Sequence, residues 1–562
     1  MSVENNIELK SNPTKREMWL PLALSLAVVF GIWVGMKLQN EPLIDTQKKK
    51  NKLSTADATS IVGQGKMEEI LRYVDAKYVD DVNNAVMVDK SINNLLQELD
   101  PHSVYIPANE LQSVSEELEG EFEGVGVETI ILEDTINVVT TISDSPASKA
   151  GLLTGDKIMS VDDSFAVRKD KRWLNTRFRG KRGTPIKLQI LRGDKLLTMT
   201  LDRDKIPLQS IDCAVTLDEF TGYVKINRFA NSTTREFNQA LIDLFEKKGV
   251  KNLVLDLRGN PGGYLDKAVD ILSNFFPDKD KLLVFTKGRT VHKNEYKTTG
   301  RQRFKIEKIA ILLDEGSASA SEIVAGAVQD WDRGVIVGRR SFGKGLVQEP
   351  YALADGAELR LTVARYFTPN GRSIQKPYKN KTPKEYDQEE DLRFERGELS
   401  TPDTLYHNTT AVFKTSNGRP VYGGGGIAPD IFVPVESYYK NAYYHQLKNW
   451  AIEYSYRYYL GHQKEMKFKE WREFRREFKV TDYSFNEFIK YAQRHEVPKN
   501  AVQINDLKQP LKQLIKARIA RQMFGDEGYF GILNEDDACV KRAYEALKQE
   551  DPLGLRRLVQ KK

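Results

Sequence analysis

"KNLVLDLRGNPGGYLDKAVDILSNFF" (Lys251 to Phe276) joins a near-continuous apolar run to a glycine turn and then to an apolar helical pattern. A buried strand that ends in a glycine loop and opens a helix is the signature of an α/β arrangement. "KIAILLDEGSASASEIVAGAVQD" (308–330) repeats that design, with a strand at Ile309–Leu313, a short turn and a second helix. In that helix Ala320, Ile323, Val324, Ala327 and Val328 form a stripe at helical spacing. Ser319-Ala320-Ser321-Glu322 fits a capping box at its start. Upstream, "TGYVKINRF" reads as a strand and "STTREFNQALIDLFEKKG" as a helix. Downstream, strands are joined by Asp355-Gly356 and Pro369-Asn370-Gly371 turns. The α/β core is expected over 207–436, with a polar insertion at 375–420 read as a long surface loop.

The 562 residues exceed what one core holds, so the chain is multidomain. A net charge of +6 without a dominant Lys/Arg block implies no nucleic-acid partner. Cys213 and Cys539 are the only cysteines, which excludes a disulfide framework and a cysteine-based metal cluster. Following a tail at 1–17, Met18 to Met36 runs nineteen residues without a charge. That length crosses most of a ~30 Å hydrocarbon core at ~1.5 Å per residue. No small-x-small cleavage site follows it. The expectation is therefore a retained signal anchor at 18–37 and a linker at 38–56. The chain is expected in a bacterial inner membrane, single-pass, facing the periplasm, with secretion after signal cleavage as the runner-up.

A helical region is expected at 57–118. From Gly120 the texture changes to short alternating strands and glycine turns. The Gly124-Val125-Gly126-Val127 loop, with the segment "SPASKAGLLTGD" (145–156), resembles a PDZ domain of the bacterial protease type over 119–206. Backbone N–H groups in such a loop can hold a terminal carboxylate, and the adjacent strand edge can take a peptide as an added strand. The last segment, 437–562, is helical and rich in Tyr, Phe, Lys and Arg. Its stripes read as packing surface.

Any of the three serines in "GSASASE" (316–322) would need a base to act as a nucleophile. No histidine lies in the strand–turn–helix units or near the hairpins after them, so nothing nominates a Ser-His-Asp arrangement. Lys344, flanked by Gly343 and Gly345 in "SFGKGLVQ", is the other candidate. At an ordinary pKa only about one lysine in 2,500 is neutral at pH 7, so a lysine base needs an apolar site. Val335, Ile336, Val337, Phe342, Leu346 and Val347 supply one. In an extended segment Lys344 and Gln348 share a face, so the Gln348 amide oxygen could orient the amine.

"SASASEIVAGAVQD", "GRRSFGKGLVQ" and "LVLDLRGNPGG" together resemble the carboxyl-terminal processing peptidases, or tail-specific proteases. The resemblance covers roughly 60–435 and implies a crotonase/ClpP-like α/β serine protease core. It is this resemblance, not spacing, that implies Ser319 rather than Ser317 or Ser321 as nucleophile. It implies Lys344, twenty-five residues on, as base with Gln348 in support. The oxyanion donors would be the Ala320 N–H and that of Gly263 or Gly262. Arg179 matches a PDZ arginine that links peptide docking to the protease site in some relatives. Asp330 is sometimes grouped with the catalytic set, but ~16 Å along a regular helix from Ser319 it reads as structural. The implied activity is a serine endopeptidase with a Ser-Lys dyad that needs no metal or other cofactor. Its partners would be proteins or peptides with accessible C-termini, an adaptor and further copies of itself. Two other readings are a non-catalytic PDZ/crotonase-like scaffold and an esterase or amidase; intact motifs disfavour the first, and a PDZ domain the second.

Overall fold

The computed structural model describes residues 55–379, 381–402 and 411–555. Two compact units divide the chain, one ending at Val88 and one starting at Asp89. The first holds the helix Thr55–Lys77, with Asn84 Nδ2 donating to Asp75 Oδ1 at 2.6 Å. The second carries the elements from Val104 onward.

The expected membrane span is not borne out. Among the described residues no helix is long and apolar enough to cross a membrane. The stretch 18–36 that carried the assignment lies outside the described residues, so the single-pass inner-membrane placement is withdrawn.

In the second unit β1 (Val104–Ile106) precedes the helix Ala108–Glu119. β2 (Glu121–Gly124) leads into β3 (Val127–Leu132), β4 (Thr135–Thr141), β5 (Lys157–Val161), β6 (Ser164–Phe165), β7 (Pro185–Arg192) and β8 (Lys195–Asp202). β9 (Asp204–Pro207) then returns antiparallel to β2, Glu121 opposite Pro207. The enclosed sheet runs β3-β4-β5-β7-β8, with β6 on β5. Its alternating residues Ile136, Val138, Ile158, Ile186, Leu188 and Ile190 form a separate apolar core with the helix Lys171–Phe178. The chain thus enters and leaves this domain side by side.

The next strands are β10 (Ile211–Thr216), β11 (Thr221–Ile226), β12 (Asn252–Asp256), β13 (Lys279–Lys287), β14 (Asn294–Thr299), β15 (Lys308–Leu313), β16 (Val335–Gly338), β17 (Leu346–Ala352), β18 (Glu358–Phe367), β19 (Val412–Lys414), β20 (Pro420–Tyr422) and β21 (Ile431–Phe432). The central sheet is β10-β11-β12-β15-β16-β21, antiparallel only at β10. A second, antiparallel sheet runs β1-β18-β13-β14, with β17 also on β18. A parallel sheet must be covered on both faces. One face packs on the helices Thr233–Leu241, Leu265–Ser273 and Ala320–Asp330. The other, including Val254, Leu312 and Val337, is covered by Trp471 and the helix Ala538–Lys548. Part of the helical C-terminal region therefore completes the protease core.

The segment 375–420 differs from the expected surface loop. It holds the helices Pro383–Asp387 and Glu389–Glu395 and buries Lys376, Tyr386, Arg393 and Glu398. Glu398 pairs with both Arg340, at 2.6 Å, and Arg393, at 3.1 Å. Arg393 and Glu398, which read as solvated, are buried because they pair with each other and Glu398 also meets Arg340, far back along the chain.

Candidate active site

β15 delivers the chain into a tight loop whose three serines have different fates. Ser317 is fully buried and its hydroxyl donates to the Leu257 carbonyl at 2.9 Å. Ser321 is fully buried and donates to the Asn260 carbonyl at 3.0 Å. Ser319 is only half-buried, and no hydrogen bond from its side chain caps the helix. Its backbone, at φ 52° and ψ −113°, lies in a region that costs about 1–3 kcal/mol for a residue with a side chain. Within the expected capping box Glu322 accepts the Ser319 N–H at 2.9 Å, while the Glu322 N–H donates to the Ser319 carbonyl.

The turn after β12 is pressed against this loop. The Ala318 N–H donates to the Asn260 carbonyl at 3.0 Å, and the Gly262 N–H is spent on Asn260 Oδ1 at 2.8 Å. A Cβ on Gly262 would lie 2.7 Å from Ser319 Cβ, and one on Gly263 2.2 Å from the Phe229 carbonyl oxygen. Both glycines have positive φ, so glycine is required for the close approach. Among the described residues, neither the Gly263 nor the Ala320 N–H meets a protein acceptor.

Lys344 lies on the loop before β17 and is half-buried. Burial lowers its pKa, against the opposing pull of Asp100 and Glu322. Its Nζ donates to Gln348 Oε1 at 3.1 Å, and Gln348 Nε2 donates to the His102 carbonyl. The Ser319 and Lys344 side chains do not hydrogen-bond each other; two buried groups tie their loops together instead. Glu322 accepts N–H bonds from Ser319 at 2.9 Å, Gly343 at 2.7 Å and Lys344 at 2.9 Å, and the Ser341 hydroxyl at 2.5 Å. Burial pushes its pKa up to about 7, with the same four donors pulling it down. The Tyr366 hydroxyl reaches the carbonyls of Ser319, at 3.0 Å, and Lys344.

The expectation that no histidine lies near these hairpins is overturned. His102 sits beside them because β1 pairs with β18, and Asp100 fixes the turn by accepting the His102 and Ser103 N–H groups at 2.8 Å each. The His102 ring meets the Tyr386 hydroxyl at 2.9 Å, and desolvation lowers its pKa to about 4, so it stays neutral at physiological pH. Sequence reasoning missed Glu322, Tyr366, His102 and Tyr386; the Glu of the capping box was a signal, but only for its local role. Asp330 lies apart from this cluster, buried in an ion pair with Arg372 at 2.7 Å.

In the domain between β2 and β9, the Gly124–Val127 loop is bound to the second half of its own motif. The Val125 and Gly126 carbonyls accept from the Ala147 and Ile142 N–H groups at 2.9 and 3.0 Å. β3 follows at the end of its sheet, so one edge carries no strand. Arg179 pairs with the buried Glu116 of the helix Ala108–Glu119 and lies 5.1 Å over the Phe122 ring.

Residues 220–383 match peptidase family S41 and residues 124–202 a PDZ domain. Residues 438–525 match a family of unknown function. Fold and site thus define a serine-type peptidase with an inserted PDZ domain. The chain is 34% identical to the carboxy-terminal processing protease CtpB of Bacillus subtilis over 57% of its own length and 67% of the relative's. It is 38% identical to the carboxy-terminal-processing protease of Bartonella bacilliformis over 55% of its length and 71% of the relative's. The chain belongs to the carboxy-terminal processing proteases of peptidase family S41. Among solved structures, the photosystem II D1 C-terminal processing protease matches 55% of this chain and 84% of its own, at 28% identity and a TM-score of 0.33.

Proposed function

We propose that the protein is an endopeptidase that captures the C-terminal tail of a protein substrate on its PDZ domain and cleaves with a Ser319–Lys344 dyad. Neutral Lys344 takes the Ser319 hydroxyl proton as Oγ attacks the scissile carbonyl. Gln348 Oε1 holds one amine hydrogen and so aims the lone pair. The Ala320 and Gly263 N–H groups receive the oxyanion; Gly262 is the weaker candidate, its N–H being spent on Asn260. Protonated Lys344 returns that proton to the leaving nitrogen as the intermediate collapses, which expels the amine product and leaves an acyl-enzyme. The neutral amine so restored is the base for the water that hydrolyses the acyl-enzyme. The tail carboxylate lies at the Gly124–Val127 loop, with the peptide along the free edge of β3. Arg179, through Glu116, couples the PDZ domain to the helix before it.

One observation carries this reading: of the three serine hydroxyls in the loop, only that of Ser319 is left unspent, beside two N–H groups without acceptors. The missing contact between Ser319 and Lys344 is compatible with it, since catalytic hydrogen bonds are often long before substrate binds. Ser319→Ala and Lys344→Ala are each expected to abolish cleavage of a tailed protein while a tail peptide still binds with unchanged affinity. Cleavage retained by either variant would refute the dyad.

A further inference from the structure

The PDZ domain is attached to the protease core through a two-stranded stem, β2 beside β9. Such a stem fixes where a domain sits but resists rotation about its own axis weakly. A second attachment away from the stem would set the angle, and the structure contains one.

The helix Ala442–His462 packs on the outer face of β3 and β4. The side chains of β3 alternate: Val127 and Ile131 turn into the PDZ core, whereas Ile130 and Leu132 turn out to meet Tyr456 and Leu460. Tyr456 is 1% exposed, and its hydroxyl donates to the Val138 carbonyl at 2.7 Å. Leu460 closes against Gly155, where an added Cβ would lie 3.2 Å from it. Two ion pairs flank the contact, Arg457 with Glu133 at 3.0 Å and Arg521 with Glu128 at 2.8 Å. This contact leaves the unpaired edge of β3 open, because it uses the face of the strand.

The same helical region is fastened to the protease core. Arg472 donates to Thr216 Oγ1 at 2.8 Å, Arg258 pairs with Asp537 at 2.8 Å, and the Tyr544 hydroxyl donates to Asp218 at 2.7 Å. Its own apolar core joins the helix Ala442–His462 to the helix Lys508–Leu533, so the part that meets the PDZ sheet is packed against the rest of the region. Tyr456 and Leu460 take no part in that inner core; they face only the PDZ sheet.

We propose that the helical C-terminal region is a strut for substrate delivery, with Tyr456, Arg457, Leu460 and Arg521 as positioning residues that hold the PDZ peptide edge at a fixed angle to the protease site. A tail bound on β3 then leads its own chain toward one place. This gives residues 438–525 a role, and it does not depend on which residue is the base.

The test uses the full chain and two substrates. One is a protein with a free apolar C-terminal tail; the other is a short fluorogenic peptide, amidated at its C-terminus, that has no tail to capture. In Leu460→Asp, kcat/KM on the tailed protein is expected to fall at least tenfold. Cleavage of the short peptide, and the Kd of a labelled tail peptide, should stay within twofold. Tyr456→Phe, which removes one hydrogen bond and no volume, should show the same split at two- to fivefold. Equal losses on both substrates, a lost tail affinity, or an unchanged rate on the tailed protein would each overturn the strut. Failure of the wild-type chain to cleave either substrate would instead count against the peptidase reading.

Discussion

The smallest scale on which the protein explains itself is the fate of single polar groups. Serines 317, 319 and 321 are equivalent by spacing, and hydrogen bonding separates them: two hydroxyls are buried and spent, one is not. Lys344 shows a comparable division between neighbouring charges. Desolvation favours its neutral form in the folded chain, so the folded protein binds fewer protons than the unfolded one. Stability therefore rises with pH between the lowered pKa and the ordinary value near 10.5. Lys344→Met removes this dependence. It is expected to be more stable than wild type at pH 7, with the gap narrowing as pH approaches 10.5, while being inactive. Urea melts of both proteins from pH 7 to 10.5 check this; a constant gap would refute it. Lys344 was legible as a candidate base from its glycine flanks and apolar neighbours. Glu322 as the tie between two loops was not, because its acceptors' partners at 341–344 lie beyond a strand and a turn. His102 was invisible for the same reason, since only the β1–β18 pairing brings it to Gln348.

At the scale of elements, the alternation of apolar runs, glycine turns and helical stripes made the strand–turn–helix units readable in advance. What it could not show was how closely the turn after β12 meets the loop that carries Ser319. Gly263 has φ +139°, and a Cβ there would overlap the Phe229 carbonyl; Gly151 has φ +77° but open space around it. Both positions favour glycine by conformation, and only the first also forbids a side chain by contact. Gly263→Ala is expected to destabilise by more than about 1 kcal/mol, beyond the conformational cost common to both, and to remove activity. Gly151→Ala is expected to keep wild-type activity and to pay only the conformational term. Denaturant unfolding together with a peptidase assay on the two variants decides it; equal behaviour would mean that the turn yields. The segment 375–420 marks the opposite failure of sequence reading, since its polarity suggested solvent, whereas Arg393 and Glu398 are buried and paired with each other, and Glu398 also with Arg340.

On the scale of the whole molecule, the central sheet is finished by residues from the end of the chain. Val254, Leu312 and Val337 meet Val540, Ala543 and Leu547, and Lys308 Nζ donates to the Leu547 carbonyl at 2.9 Å. A periodicity argument sees only a helical extension with an apolar stripe; that the stripe covers one face of the central sheet follows from the topology. If the core and this helix form one cooperative unit, truncating a buried side chain in the helix must weaken the peptidase itself. Leu547 is 2% exposed, so Leu547→Ala is expected to cost about 2–5 kcal/mol through lost burial and the cavity left behind. That loss should appear in the transition that ends peptidase activity, with fluorescence and activity falling at the same denaturant concentration. A variant in which the helical region melts first while cleavage of a short peptide persists would show that the central sheet does not need the helix. In that case the strut would be anchored to the core by polar contacts alone, through Arg472, Asp537 and Tyr544.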